Sequence, residues 1–299
     1  MNGLIPAPDA LGIPSSPLIF HFLYILTFVL HVVFMNFVLG GSIMVAVNEW
    51  FLGRRDVVGQ ANSLMLKVMP VALSMAITMG VAPLLFVQVI YGQFFYIANI
   101  LMGGFWLSII GLVMVAFYLI YFQIAKRPEN GHSNVYTRVG ILISAILFLL
   151  IAFIHTNNAI LTENPQYWQD IYSGQRWIVV PDISLWPRYL HNVIGAIAVA
   201  GLWCAGIGRY QLHFHAKKRD AVGHWMVKMG LHWAVAATTF EILIGFVYLF
   251  SIGMDKVKAF MGNGILFVGW SISLVTAFVA LVCMVMAMMK PGRLTPSVV

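Results

Sequence analysis

The sequence predicts an all-α polytopic membrane bundle of about seven helices, and three observations carry that prediction. Of the 299 residues, 61% are hydrophobic and 9% charged, whereas a soluble domain carries roughly 25% charged residues. The apolar residues gather into seven runs, each longer than the ~20 residues a spanning helix needs. Lysine and arginine concentrate in alternate connections, as they do when cytoplasmic loops retain positive charge. The net charge of +7 comes mostly from those connections and does not point to nucleic acid.

The elements follow in order. Residues 1–16 are rich in Pro and Gly, carry Asp9 as their one charge and read as an exposed lead-in. They lack a basic segment before the first apolar run, so a cleaved signal peptide is not expected. Helices are predicted over about 17–47, 68–91, 98–124, 135–157, 188–208, 223–252 and 264–289. Neither an internal repeat nor a linker divides the chain, which reads as one domain over 1–299. Cys204 and Cys283 both fall in apolar helices and suggest neither a disulfide framework nor a zinc site. No Cys-x-x-Cys-His motif is present, so no covalently attached haem is expected.

Arg54, Arg55, Lys67, Lys126, Arg127, Arg138, Arg209, Lys217, Lys218, Arg219, Lys228, Lys290 and Arg293 fall on one side of this arrangement. Only Arg176, Arg188, Lys256 and Lys258 fall on the other. The asymmetry places the N-terminus outside and the C-terminus in the cytoplasm. One outer loop, about 158–187, is long and holds Tyr167, Trp168, Tyr172, Trp177 and Trp186. It reads either as an interfacial aromatic belt or as a lid and docking segment for a periplasmic partner.

Function is suggested by the histidines. An ionisable residue in a membrane helix is costly unless partnered and marks a candidate site. His21 and His31 lie in the first helix, His155 in the fourth, His191 in the fifth and His232 in the sixth. A rise of ~1.5 Å per residue assigns His21, His155 and His191 to an outer layer. His31 and His232 then form a middle-to-inner layer. Histidines from different helices at matched depth are the usual means of holding haem b, with the second ring nitrogen oriented by another group. The pattern suits at least one non-covalent haem per layer, hence two or more, passing electrons across the bilayer.

Their neighbours extend the reading. Arg188 shares a helix face with His191 and is a candidate partner for an outer haem propionate. Lys228 is the corresponding inner candidate, and His224 a second possible inner ligand. Simple interfacial snorkelling explains both cations equally well. Glu241, the one carboxylate deep in a helix, is a candidate for metal ligation, for taking a quinol proton, or for pairing with an outer histidine or Arg188. A proton or hydrogen-bond role is the expectation, with Glu241 and His224 as the candidates for quinone chemistry. His132, His213 and His215 lie in cytoplasmic loops and read as solvated.

The first ~125 residues carry a further signal. The first helix opens Phe20-His21-Phe22-Leu23 and is followed by Glu49. Gly80-Val81-Ala82-Pro83 leads to Gln88-Val89-Ile90-Tyr91-Gly92 and then to Gly103-Gly104. This stretch resembles a reduced version of the large subunit of cytochrome bd-type quinol oxidases. The resemblance implies that His21 is an outer haem ligand and that His191, matching in rough position, binds a haem b. The family's catalytic glutamate falls on Gln88, which cannot ionise. Its long outer quinol-binding loop is reduced to about 253–263, and its last two helices have no counterpart.

The resemblance therefore implies a bd-like haem b electron-transfer subunit of the bacterial cytoplasmic (inner) membrane, not an oxygen reductase. Relatives of that kind stand beside multihaem c-type cytochromes in respiratory complexes, between the quinone pool and a periplasmic partner. The alternatives are a terminal oxidase with unusual ligands and a haem-free quinone-binding or structural anchor.

Overall fold

The computed structural model describes residues 6–7, 12–52, 55–128, 133–174 and 178–289, with backbone only over 215–219. Asp9, Arg54, His132, Arg176, Trp177, Lys290 and Arg293 lie outside the described residues, as do the side chains of His215, Lys217, Lys218 and Arg219.

Among the described residues the chain is helical throughout, without strands. The membrane-length helices are α1 (Pro17–Phe51), α2 (Asp56–Leu101), α3 (Gly103–Lys126) and α4 (Val135–Glu163). A 3₁₀ turn, Pro165–Tyr167, and the short α5 (Trp168–Tyr172) follow. Next come α6 (Leu185–Phe214) and α7 (Asp220–Ser251), the short α8 (Met254–Gly262) and α9 (Gly264–Met289). Seven of these are long and apolar enough to cross a membrane, so the chain is a multi-pass helical membrane protein. We call the end bearing Phe51, Lys126 and Asp220 the basic end, and the end bearing Pro17, Glu163 and Ser251 the loop end.

α6 and α7 form one uninterrupted helical stretch, Leu185–Ser251, yet fold back as a hairpin. A Cβ on Gly201 would stand 2.6 Å from Ala234 N, and one on Gly208 would stand 2.8 Å from Gly223 O. Residues so far apart in sequence meet only if the backbone reverses between Phe214 and Asp220. Gly201, Gly208, Gly223 and Gly230 bring the two backbones together along the seam. This is the usual solution inside a bilayer, where association relies on close packing. Gly40 does the same for α1 against α6, since a Cβ there would overlap the carbonyl of Ala196.

α1 and α2 form a second antiparallel pair. Asn48 Nδ2 donates to Asn62 Oδ1 at 3.2 Å near the basic end, and His31 Nδ1 reaches Ala76 O midway. His21 meets Tyr91 near the loop end. α2 departs from helical geometry at Tyr91 (φ −124°, ψ 25°). Gly92 follows directly, and its missing Cβ lowers the cost of that departure.

Several helices are longer than the apolar runs indicate. α2 begins at Asp56 and ends at Leu101, so the expected limits 68 and 91 fall short and Lys67 is helical. α4 continues to Glu163, so 158–163 of the expected loop are helix and His155 lies eight residues inside the helix end. Arg209, expected in a loop, is helical, and Lys228 lies on its helix as the predicted 223–252 span has it. Hydropathy reports the length of chain that lipid will accept, and a helix can run on into water beyond it.

Packing is uneven along the bundle axis. Every buried residue of α1 lies between Phe37 and Glu49, toward the basic end. The largest apolar cluster gathers there, from Phe37, Met44, Leu66, Met69, Ile120, Ile141 and Met226 among others. A smaller cluster at the loop end joins Met102, Ile154, Leu161, Trp168 and Leu185. α9 is peripheral, with Met284 its one buried residue, and presents an apolar surface to lipid.

Candidate cofactor site

Two histidines stand close to oxygens of neighbouring helices. The His31 ring lies half-buried between α1 and α2, and its Nδ1 lies 2.7 Å from the carbonyl oxygen of Ala76. Gly80 makes the room, because a Cβ there would stand 2.8 Å from Nδ1. With Nδ1–H donating, Nε2 carries the lone pair, the arrangement found in metal-bound histidines.

His191 on α6 is placed by α7. Its Nδ1 lies 3.0 Å from Glu241 Oε1, although the oxygen sits off the line of an N–H bond and Nδ1 has no aligned acceptor. Gly195 and Gly245 form the notch for this pair. A Cβ on the first would stand 2.8 Å from Glu241 Oε1, and one on the second 3.3 Å from His191 Cε1. The Tyr248 ring lies 6.0 Å away across the same notch.

The remaining groups of the loop half surround these two. His155 on α4 stacks on Trp106 at 6.0 Å and 25°, within electrostatic reach of both His31 and Arg188. Arg188 Nη1 donates to both carboxylate oxygens of Glu163 at 2.8 Å, and its guanidinium lies 5.9 Å from the Tyr248 ring centre. A propionate partner for Arg188 would therefore compete with Glu163. His21 is more fully engaged. Its Nδ1 lies 2.7 Å from the Pro17 carbonyl oxygen, and its Nε2 lies 3.4 Å from the Tyr91 hydroxyl. Iron ligation through Nε2 would require Tyr91 to withdraw.

The expected inner group is arranged differently. His224, Lys228 and His232 form an exposed stripe on α7. His224 pairs with Asp220 on its own helix at 3.3 Å, and His232 Nδ1 reaches its own Lys228 carbonyl at 2.7 Å. No described hydrogen bond, ion pair or ring contact joins His232 to His31. Gln88 accepts from the Tyr96 hydroxyl at 3.3 Å.

No group of three or more His, Cys, Asp or Glu among the described residues could hold a bare metal ion. No protein-family model and no curated protein sequence matches the chain.

Composition and spacing passed over a second set of polar residues. At the basic end Arg127 pairs with Glu49, with side-chain exposures of 3% and 1%. Arg127 Nη1 also reaches the Gly59 carbonyl at 3.5 Å. At the loop end Asn157 Nδ2 donates to the Ile178 carbonyl at 3.0 Å, and its Oδ1 accepts from Val180 N at 2.9 Å. Trp168 is 3% exposed and donates to the Leu161 carbonyl at 2.8 Å. That burial removes Trp168 from any interfacial belt, whereas Tyr172 and Trp186 are exposed. The visible sign of this network is Thr156-Asn157-Asn158, three polar residues running through an apolar helix.

Proposed function

We propose that the chain is a membrane haem b electron-transfer subunit, passing electrons between the quinone pool and a periplasmic redox partner such as a multihaem c-type cytochrome. One observation carries the reading. His31 Nδ1 is engaged by the Ala76 carbonyl on another helix, and His191 Nδ1 lies 3.0 Å from Glu241 Oε1 on another helix, which leaves Nε2 of each as the candidate ligating nitrogen.

In this reading His31, His155 and His191, from α1, α4 and α6, are the principal candidates for haem iron. His21 is a further candidate once Tyr91 is displaced, and His232 belongs to a separate position on the face of α7. Bound haem would supply reversible one-electron storage. The Ala76 carbonyl and the Glu241 carboxyl would orient their imidazoles, and Gly80, Gly195 and Gly245 would leave the rings space to stand edge-on between helices. Arg188 and Glu163 would hold the loop-end boundary, where a cation is placed to meet propionate. His224 with Asp220 offers a proton-exchanging pair at the basic end for quinone chemistry. The bacterial inner membrane is the setting this function requires.

The test is a dithionite-reduced minus oxidised spectrum of the purified chain with a pyridine haemochrome count. A b-type α-band is expected, with about two haems per chain where His31 and His191 serve separate haems. His31→Ala and His191→Ala should each remove haem absorbance, and His232→Ala should not remove the haem lost with His31. A folded, monodisperse sample without a Soret band would end the reading and favour a haem-free anchor.

A further inference from the structure

Glu241 has the features of a built position. It is the one carboxylate deep in an apolar span, it lies on α7, and it faces a histidine on α6. The two glycines that admit the pair lie one on each helix: Gly195 backs the carboxyl and Gly245 backs the ring. His191 Nδ1 and Glu241 Oε2 are both buried without an aligned hydrogen-bond partner. A small rotation of either side chain would align the 3.0 Å approach into a hydrogen bond. Nothing else described on α6 or α7 competes for His191 Nδ1.

We propose that Glu241 is a positioning residue for His191, with its carboxyl accepting the Nδ1–H so that the ring is fixed with Nε2 turned to whatever iron it binds. The inference rests on the haem reading above and adds an asymmetry to it. His31 is oriented by a backbone carbonyl, His191 by a carboxyl. The group held at Nδ1 sets the ring's orientation and the donor strength of Nε2. Glu241 therefore acts on the haem bound by His191 alone.

The experiment is an optical redox titration and low-temperature EPR of the purified full-length chain and three variants. Glu241→Leu is expected to shift the midpoint potential and the ferric EPR signal of one haem and to leave the other unchanged. Glu241→Gln, which keeps an acceptor in place, should shift it less. Gly195→Ala leaves the carboxyl intact but puts a methyl 2.8 Å from Oε1, which must shift, and should move the same haem in the same direction as Glu241→Leu. It decides the matter if the Glu241 variants do not assemble. Unchanged potential and EPR signal in Glu241→Leu and Gly195→Ala would overturn the proposal, while haem remaining in those samples would leave the underlying reading intact. Wild-type chain without haem would overturn both.

Discussion

The basic half and the loop half of the bundle differ in where their charged and titratable residues sit, although both bury amides, Asn157 and Asn158 in the loop half included. In the basic half Asn48, Glu49, Asn62, Gln123 and Ser144 are all at most 4% exposed and sit within the largest apolar cluster. Arg127 joins them, paired with Glu49. In the loop half Tyr24, His31, Arg188, His191, Glu241 and Tyr248 are only half-buried, and His155 is exposed. A polar group with a polar partner inside a packed core serves assembly, because removing the partner strands it. A polar group turned toward open space between helices, with one atom anchored and another free, is available for binding.

Five substitutions test this contrast. The largest effect should come from Arg127→Met, which strands the Glu49 carboxylate in a site 1% exposed. Breaking a buried pair from one side costs about 3–5 kcal/mol, so loss of monodisperse protein on size exclusion or a marked fall in unfolding temperature is expected. The double variant Glu49→Leu with Arg127→Met should recover most of that loss, since replacing both partners is often near neutral. Gly201→Leu comes next. Its side chain meets the α7 backbone where even a Cβ would stand 2.6 Å from Ala234 N, and overpacking costs about 1–3 kcal/mol or more. Thermal unfolding in detergent would measure it.

Asn157→Ala should cost about 1–3 kcal/mol by leaving the buried Val180 N–H without its acceptor. It should also open the 164–184 connection to limited proteolysis while leaving the basic half intact, and equal loosening of both halves would contradict their independence. Tyr172→Ala, at a residue 80% exposed, should change unfolding by less than about 0.5 kcal/mol. If a periplasmic partner docks on this end, the same variant is one to test for weakened association.

The candidate site is only partly legible in the sequence. Histidines and Glu241 are conspicuous in apolar helices because lipid makes unpartnered polar groups expensive, so rarity alone identifies them. Their pairing is not legible. Depth counted from helix ends puts His31 with His232, but the apolar run misplaces the ends themselves, by up to twelve residues at the start of α2. Depth also says nothing about azimuth: His31 turns into the α1–α2 seam, whereas His232 lies on an exposed stripe. Arg127 counts as one more loop cation until Glu49 meets it across the bundle.

The apolar runs alone establish a helical membrane protein with seven spans, because the free energy of placing apolar and charged side chains in lipid is additive along the chain. They also single out the polar residues that lipid would not tolerate alone. Which partners those residues take is a matter of the fold. His191 meets Glu241, and Glu49 meets Arg127, through contacts between separate helices. Those contacts depend on rotation and close approach at glycines such as Gly40, Gly195 and Gly201, which a count along one helix cannot contain.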